Sequence, residues 1–381
     1  MCEQKIIELI KQGESSALEF KEQEVRAESI AKEVCSFSNS GGGTILVGIT
    51  DRGEIKGIND SKNWEEWIAN ISRENIIPPV SLDSKIIVED SKKILVIQIH
   101  KGRDKPYQTS DNKFLIRVGS TNRVASPGEL IRLFQEAGLV HFDANPLQGT
   151  NRKNLDTNLL ANYFSRYSID IEDLNDVEKD TILKNTEILS DEGSCTVAGL
   201  LCFGISSLKY LPQAEIKFAH FTETQVTGEL IDRQNIQRDL SGCIDQTIAI
   251  IKNNIREESK IKGALRKVTK AGYTDKVFRE LITNAMVHRD WSKLAPVRIL
   301  IFSDRIEFIS PGRLPNSVSI EKLKYGVSHP RNPIILKFLE NMGYVDRLGR
   351  GLPMVYQESQ KLKKSVKFEE VGEEFRVILE L

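Results

Sequence analysis

Apolar residues at Ile6, Ile7, Leu9 and Ile10 recur at helical spacing and stop at Gly13, which predicts a short amphipathic helix over residues 3–12. Leu18 and Phe20 then alternate with Glu19 and Lys21, the pattern of a strand with a wet, charged face. From Glu28 to Asn39 the spacing is helical again. Ile30, Val34 and Phe37 lie on one side, with Ala31 and Cys35 beside them. The run Ser38-Asn-Ser-Gly-Gly-Gly43 ends that helix, because glycine adopts the left-handed backbone of a tight exit. Thr44–Ile49 predicts a buried strand, with Asp51-Arg52-Gly53-Glu54 as the turn out of it. Further strands are expected over Lys85–Val88, Ile94–Ile99 and Phe114–Val118, the last closing a first domain at about residue 140.

Residues 141–156 are polar and turn-rich and read as a linker. Beyond it, Leu155–Tyr167 reads as helix, Thr196–Phe203 as an apolar run and Glu215–Phe221 as a strand. Leu240–Asn254 is an amphipathic helix with Ile244, Ile248 and Ile251 in register, suited to packing or to a dimer interface. Lys260–Lys270 is basic and strand-like. Val297–Phe302 with Ile306–Ile309, and the Phe368–Leu379 segment, predict strand pairs. The last pair stands so close to Leu381 that no room is expected for an appended winged helix. These signals divide the chain into 1–140, a linker at 141–156, a connecting α/β region at 157–275 and a final domain at 276–381.

The bulk properties narrow the class. The chain has 381 residues, 40% hydrophobic and 28% charged, which fits a globular protein of more than one domain. A net charge of −1 neither requires nor excludes a nucleic-acid partner. Its five cysteines (Cys2, Cys35, Cys195, Cys202, Cys243) form no zinc spacing, as expected for reduced thiols in a cytoplasm. The longest uncharged run, Val34 to Thr50, is broken by serines, an asparagine and three glycines, so no membrane span is expected. The N-terminus leads into a helix rather than a signal peptide.

Two clusters carry candidate chemistry in the first domain. Glu14, Glu19 and Asp51 bring hard oxygen donors near a short strand, and Lys21 shares the strand face of Glu19. Residue types alone equally fit acids that cap turns and pair with surface lysines. From 101 to 123, six Lys or Arg face two Asp, with Tyr107 and Phe114 interleaved. Lys101, Arg103, Lys105, Arg117 and Arg123 would neutralise phosphates while Tyr107 stacks on a base; the alternative is a solvated hairpin edge.

The run Glu14-Ser-Ser-Ala-Leu-Glu19-Phe20-Lys21, the three glycines, Asp51, Lys105-Pro-Tyr107 and Arg117-Val-Gly-Ser120 together resemble the Schlafen AlbA-type domain. Nuclease members of that group use two glutamates and an aspartate. The resemblance implies those roles, with a bound Mg²⁺ or Mn²⁺, for Glu14, Glu19 and Asp51, and a nucleic-acid face for the basic stretch.

A third block lies in the final domain. Glu280, Asn284 and His288 are four apart each time and so share one helix face. With Leu348-Gly349-Arg350-Gly351-Leu352, Ser310-Pro-Gly312-Arg-Leu-Pro315 and His329-Pro-Arg-Asn-Pro333, this segment resembles the C-terminal ATPase-like domain of RecG-related proteins. It also resembles the N-box of the gyrase, histidine-kinase and MutL class. That resemblance implies Glu280 as general base, Asn284 as metal ligand, and ATP phosphates on Gly349, Arg350 and Gly351, with Gly312 nearby. The chain departs from the class at the adenine-reading Asp-x-Gly-x-Gly box, where it has Ser310-Pro311-Gly312. Arg331, Arg347 and Arg350 suit phosphate contact or a subunit interface. Gly199 to Gly204 and Leu211-Pro212 match the connecting part of the same two-domain family.

The expected fold class is α+β, an N-terminal AlbA-type α/β domain plus a C-terminal GHKL-like α/β sandwich. The leading expectation is a cytoplasmic, homo-oligomeric regulator that binds DNA or RNA, tRNA-like RNA included, with a nucleotide-binding second lobe. Its alternatives are a metal-dependent endonuclease using Glu14, Glu19 and Asp51, and an oligomeric interaction protein with vestigial sites.

Overall fold

A computed structural model describes all residues except 1–2, 90, 103, 262–263, 270–271, 315–319, 324, 327–329 and 346–348. Arg103, Pro315, His329, Arg347 and Leu348, singled out above, lie outside the described residues. Two compact units divide the chain, Met1–Val140 and His141–Leu381. No helix among the described residues is long and apolar enough to cross a membrane.

The first unit runs α1 (Glu3–Gln12), β1 (Leu18–Lys21), α2 (Ala27–Asn39), β2 (Gly43–Val47), α3 (Trp64–Glu74) and β3 (Ile76–Ile77). It continues through β4 (Leu82–Glu89), β5 (Lys92–Ile99), β6 (Gln108–Thr109), β7 (Leu115–Val118), β8 (Thr121–Val124) and α4 (Pro127–Glu136). Its main sheet has the order β1-β2-β5-β4, with β1 parallel to β2 and the other pairs antiparallel.

Strand parity splits the apolar residues into two layers. Ile45, Val47, Leu95, Ile97 and Ile99 pack with α2 and α3. Leu46, Ile94 and Val96 join Leu18 and Phe20 on the other face, against Leu9 and Ile10 of α1. Central strands covered on both faces read as unbroken apolar runs, as Ile45–Val47 and Ile94–Ile97 do. Gly42 leaves α2 at φ +82°, and a Cβ there would fall 2.7 Å from the Ile99 carbonyl oxygen. Phe114–Val118 contains β7, and β8, which pairs with it, and α4 follow, so that segment does not close the unit.

The second unit contains α5 (Thr157–Ser165), α6 (Asp176–Asn185), α7 (Val197–Phe203), β9 (Ile216–Phe221), β10 (Leu230–Ile236), α8 (Leu240–Asn254), β11 (Arg256–Ile261) and β12 (Ala264–Thr269). After these come α9 (Asp275–Val287), β13 (Val297–Ile301), β14 (Arg305–Pro311), α10 (Ile320–Leu323), α11 (Pro333–Asn341), α12 (Gly351–Lys361), β15 (Val366–Val371) and β16 (Glu374–Glu380). A six-stranded sheet has the order β10-β9-β13-β14-β16-β15, with only β13–β9 parallel.

One face of this sheet presents Ile216, Phe218, Val297, Ile299, Ile306, Phe308 and Leu379 to a core shared with α8 and α9. The alternate positions carry ion pairs, including Arg305–Glu307 at 2.7 Å and Arg376–Glu374 at 3.5 Å. This is a sheet covered by helices on one side and faced with charge on the other. Leu240–Asn254 is the packing helix its register predicts, with Ile244 and Ile251 fully buried.

Residues 141–156 are not a free linker but part of the second unit. Pro146 bridges Thr196, Leu155 bridges Gly204, and the Leu147 N–H donates to the Cys195 carbonyl at 2.8 Å. The fully buried Asp143 accepts from the Ile334 and Ile335 amides at 2.8 and 3.0 Å, capping the start of α11 from a distant part of the chain. The polar composition of this segment therefore combines exposed turns with a buried cap at Asp143.

Candidate functional site

Glu19 and Lys21 are two apart on β1, so they point to the same face, toward Glu33 of α2. That face is buried, not wet: Glu19 is 5% exposed and Glu33 6%. Lys21 binds Glu19 and stands 3.4 Å from Glu33. Arg117 of β7 completes a quartet, donating to Glu19 at 2.5 Å, to Glu33 at 2.9 Å and to the Ser15 carbonyl at 3.0 Å. Its guanidinium stacks 4.8 Å over Phe37, and Asn122 of β8 accepts from both Arg117 and Ser36.

Two carboxylates thus meet two cations, and burial is tolerable because each charge is paired. Burial, then the neighbouring Glu19 charge, raises the Glu33 pKa above the usual carboxylate value. Burial alone would lower that of Lys21. The Glu19 hydrogen bond and the charges of both acids outweigh this and raise it.

Glu33 was missed by the sequence reading, yet a signal was there: a charge three residues after Ile30 and four before Phe37 sits within the apolar stripe of α2. The expected triad is not assembled. Glu14 accepts the Phe20 N–H at 3.0 Å and Asp51 lies exposed in the turn after β2. Among the described residues no group of three or more His, Cys, Asp or Glu is placed to hold a metal ion. The structure therefore joins Glu19, Lys21 and Arg117 to Glu33, and leaves Glu14 and Asp51 out of a metal-holding group.

The basic stretch is also redistributed. Lys105, 3% exposed, donates to the Asn39 and Ser40 carbonyls at 2.6 and 3.2 Å and to Glu136 at 3.1 Å. The last carbonyls of α2 lack helical partners, and this ammonium supplies one. Tyr107 is equally buried. Its backbone N–H donates to Asn39 Oδ1 at 2.8 Å, and its carbonyl accepts from Asn39 Nδ2 at 2.7 Å. Lys105, Tyr107 and Arg117 consequently hold the fold together instead of facing a polymer. Arg123 is exposed, Lys101 half-buried, and the exposed Lys113 pairs with Asp111 at 2.7 Å.

In the second unit, Glu280, Asn284 and His288 do share a half-exposed helical face. Asn284 donates its amide to Glu280 at 2.6 Å. The Glu280 carboxylate lies on the backbone of Gly351 at the start of α12: an ideal Cβ there would fall 1.7 Å from Oε1. Gly349 packs against Gly326, where a Cβ would meet the Gly349 carbonyl at 2.2 Å. Gly312, at φ +113°, leaves room that Arg331 and Asp290 fill.

Ser310 turns inward from β14 and donates its hydroxyl to the Ala285 carbonyl at 2.8 Å, so it serves the α9 backbone. The residues after His288 are structural. Arg289, fully buried, donates to the carbonyls of Gln213, Lys293 and Ala295 and stacks 4.1 Å over Trp291; burial pulls its pKa down to about 9. A cleft of about 570 Å³ opens beside Glu280, lined by Lys276, Arg279, Tyr344, Arg350, Gly351 and neighbouring side chains. The Glu280 carboxylate, held by Asn284, thus covers the backbone of Gly351 at one wall of this cleft.

Residues 14–126 match the family model described as "Schlafen, AlbA_2", and residues 295–379 match that described as "Putative ATP-dependent DNA helicase recG C-terminal". The quartet falls inside the first match, whereas Glu280 and Asn284 precede the second. No curated protein matches the chain. Among solved structures, the DIP2311 protein from Corynebacterium diphtheriae is 20% identical over 96% of this chain and 75% of its own, with a TM-score of 0.48. The N-terminal domain of a "Putative ATP-dependent DNA Helicase RecG-related Protein" from Nitrosomonas europaea is 19% identical, over 32% of this chain and 88% of its own, with a TM-score of 0.26.

Proposed function

We propose that this chain, which carries a Schlafen AlbA_2 domain and a recG C-terminal-type domain, binds nucleic acid through its first unit and a nucleotide through its second. The observation that carries the reading is the occurrence of both matched domains in one chain. Arg123, Lys101 and Lys113 are the described cations of the basic stretch that the fold leaves accessible, and they would meet phosphates. The quartet fixes β1, α2 and the β7–β8 hairpin, and so positions Arg123 without taking part in contact.

A binding role, with the polymer left intact, is favoured by the commitment of Glu19 to Lys21 and Arg117. In the second unit, Glu280 and Asn284 would hold a magnesium-bound nucleotide, whose metal would polarise the terminal phosphate. Glu280 would serve as the base acting on water.

The test is to incubate the full chain with labelled tRNA, single-stranded RNA and duplex DNA, with Mn²⁺ or EDTA, and to run native and denaturing gels. The expected result is a shifted, intact band in EDTA that weakens steeply with salt and is lost in Arg123→Glu. Metal-dependent cleavage abolished by Glu19→Gln would replace this reading with a nuclease. Neither shift nor cleavage would leave an interaction protein.

A further inference from the structure

Among the described residues, the cleft beside Glu280 is lined by three cations, Lys276, Arg279 and Arg350, and by one carboxylate, that of Glu280. Among the described residues, Lys276 and Arg279 have no ion-pair partner. Arg279 lies 6.0 Å over the Tyr344 ring, and its Nε is buried with no hydrogen-bond partner. The ring is held from its far end, where the Tyr344 hydroxyl donates to Asp245 at 2.6 Å. Pro353 and Met354 add apolar wall. Two cations without an ion-pair partner among the described residues, Lys276 and Arg279, beside an aromatic surface, are the chemistry of an anion-binding cleft.

Glu280 is the acid of the cleft among the described residues. Its Oε1 and Oε2 would be 1.7 and 2.4 Å from a Cβ at Gly351, so only glycine lets the carboxylate rest on the first turn of α12. The N-terminal end of an eleven-residue helix favours a negative group. Asn284 holds the same carboxylate from α9 at 2.6 Å.

We infer that the cleft is a polyphosphate site in which Glu280 occupies the anion position at α12, and that an entering phosphoryl chain displaces it and is gripped by Lys276 and Arg279. The inference rests on the nucleotide reading of the second unit and adds to it the phosphate-binding residues and the internal competitor. A phosphoryl chain carries more charge than one carboxylate, so it wins the exchange only with both cations present. Displacement also releases Glu280 from Gly351, which ties its availability as magnesium ligand or base to occupancy of the cleft.

The probe is inorganic triphosphate, which has no base or sugar, measured by calorimetry on the full chain without metal and compared with ATP plus Mg²⁺. Lys276→Ala/Arg279→Ala, checked for native circular dichroism, is expected to weaken triphosphate at least about tenfold, the equivalent of losing one strong charged contact. Glu280→Gln removes the competitor's charge and is expected to tighten it by about three- to tenfold. Unchanged affinity in the double variant, or weaker binding in Glu280→Gln, would overturn the inference. If triphosphate binds through Lys276 and Arg279 but ATP adds nothing, the cleft stands and the nucleotide reading fails. If ATP binds through Asn284 and triphosphate does not bind, the reverse holds.

Discussion

The guanidinium of Arg117 binds the carboxylate of Glu19 at 2.5 Å, across 98 residues of sequence, with both side chains almost wholly out of solvent. This one pair ties the β7–β8 hairpin to the edge strand of the main sheet, and through Glu33 to α2.

Arg117→Met strands two buried carboxylates on one lysine. Removing one partner of a buried ion pair costs about 3–5 kcal/mol, so the first unit is expected to unfold at markedly lower urea. Adding Glu19→Gln to Arg117→Met should recover part of that loss. An additive double variant would show that the two side chains do not interact.

Lys105 and Arg123 separate structure from contact. Lys105→Met leaves the α2 carbonyls without their donor and is expected to cost about 1–3 kcal/mol of stability. Arg123→Ala is expected to change stability by no more than about 0.5 kcal/mol, yet to lower the salt slope of nucleic-acid binding by about one. Thermal melts and salt-dependent binding curves on the same two variants check both halves.

Asp143 gives the second unit a pH signature. Burial raises its carboxyl from the ordinary 3.8 to about 6 in the folded chain, against the lowering effect of the α11 amides. A folded pKa above the unfolded one means that the proton is held more tightly when folded. The stabilisation is therefore complete below about pH 4 and lost as pH rises through 6. Asp143→Asn keeps an acceptor for the Ile334 and Ile335 amides without the charge. Its stability relative to the parent should rise between pH 4 and 7 by up to about 3 kcal/mol, then level off. Urea unfolding of both proteins across that range is the measurement, and a difference independent of pH would refute the assignment.

Ser310→Asp tests whether the adenine-reading acid can simply be restored. The Ser310 hydroxyl donates to the Ala285 carbonyl, whereas a carboxylate there is buried, cannot donate and repels that oxygen. The variant is expected to lose about 3 kcal/mol or more and to gain no ATP affinity, as thermal melts with and without ATP would show.

Much of the chain's order was legible along its length. Periodicity located α1, β1, α2, β2, β5, α8 and the β13–β14 and β15–β16 pairs, because each buries one face and the spacing of apolar residues records which. Residue types also marked the two regions where charge gathers. What the spacing could not convey is which charge meets which. Glu19 was in view but Glu33 was not, since a lone acid in an apolar stripe acquires meaning only when Arg117 arrives from another part of the unit. Lys105 and Tyr107 belong to a basic run that reads as a wet edge, yet the unpaired carbonyls ending α2 draw the lysine inward. Residues 141–156 read as a linker for a related reason: a polar side chain such as Asp143 that caps a distant helix looks, in sequence, like one that faces water.

The sequence by itself determined the elements that apolar spacing marks and the families they resemble, because local periodicity and turn chemistry act over a few residues. Tertiary structure alone decided that Glu19, Glu33, Lys21 and Arg117 neutralise one another, and that Glu280 rests on Gly351. Both depend on charges and backbone surfaces far apart in the chain, which become neighbours only when burial makes an unpaired charge too costly to leave alone.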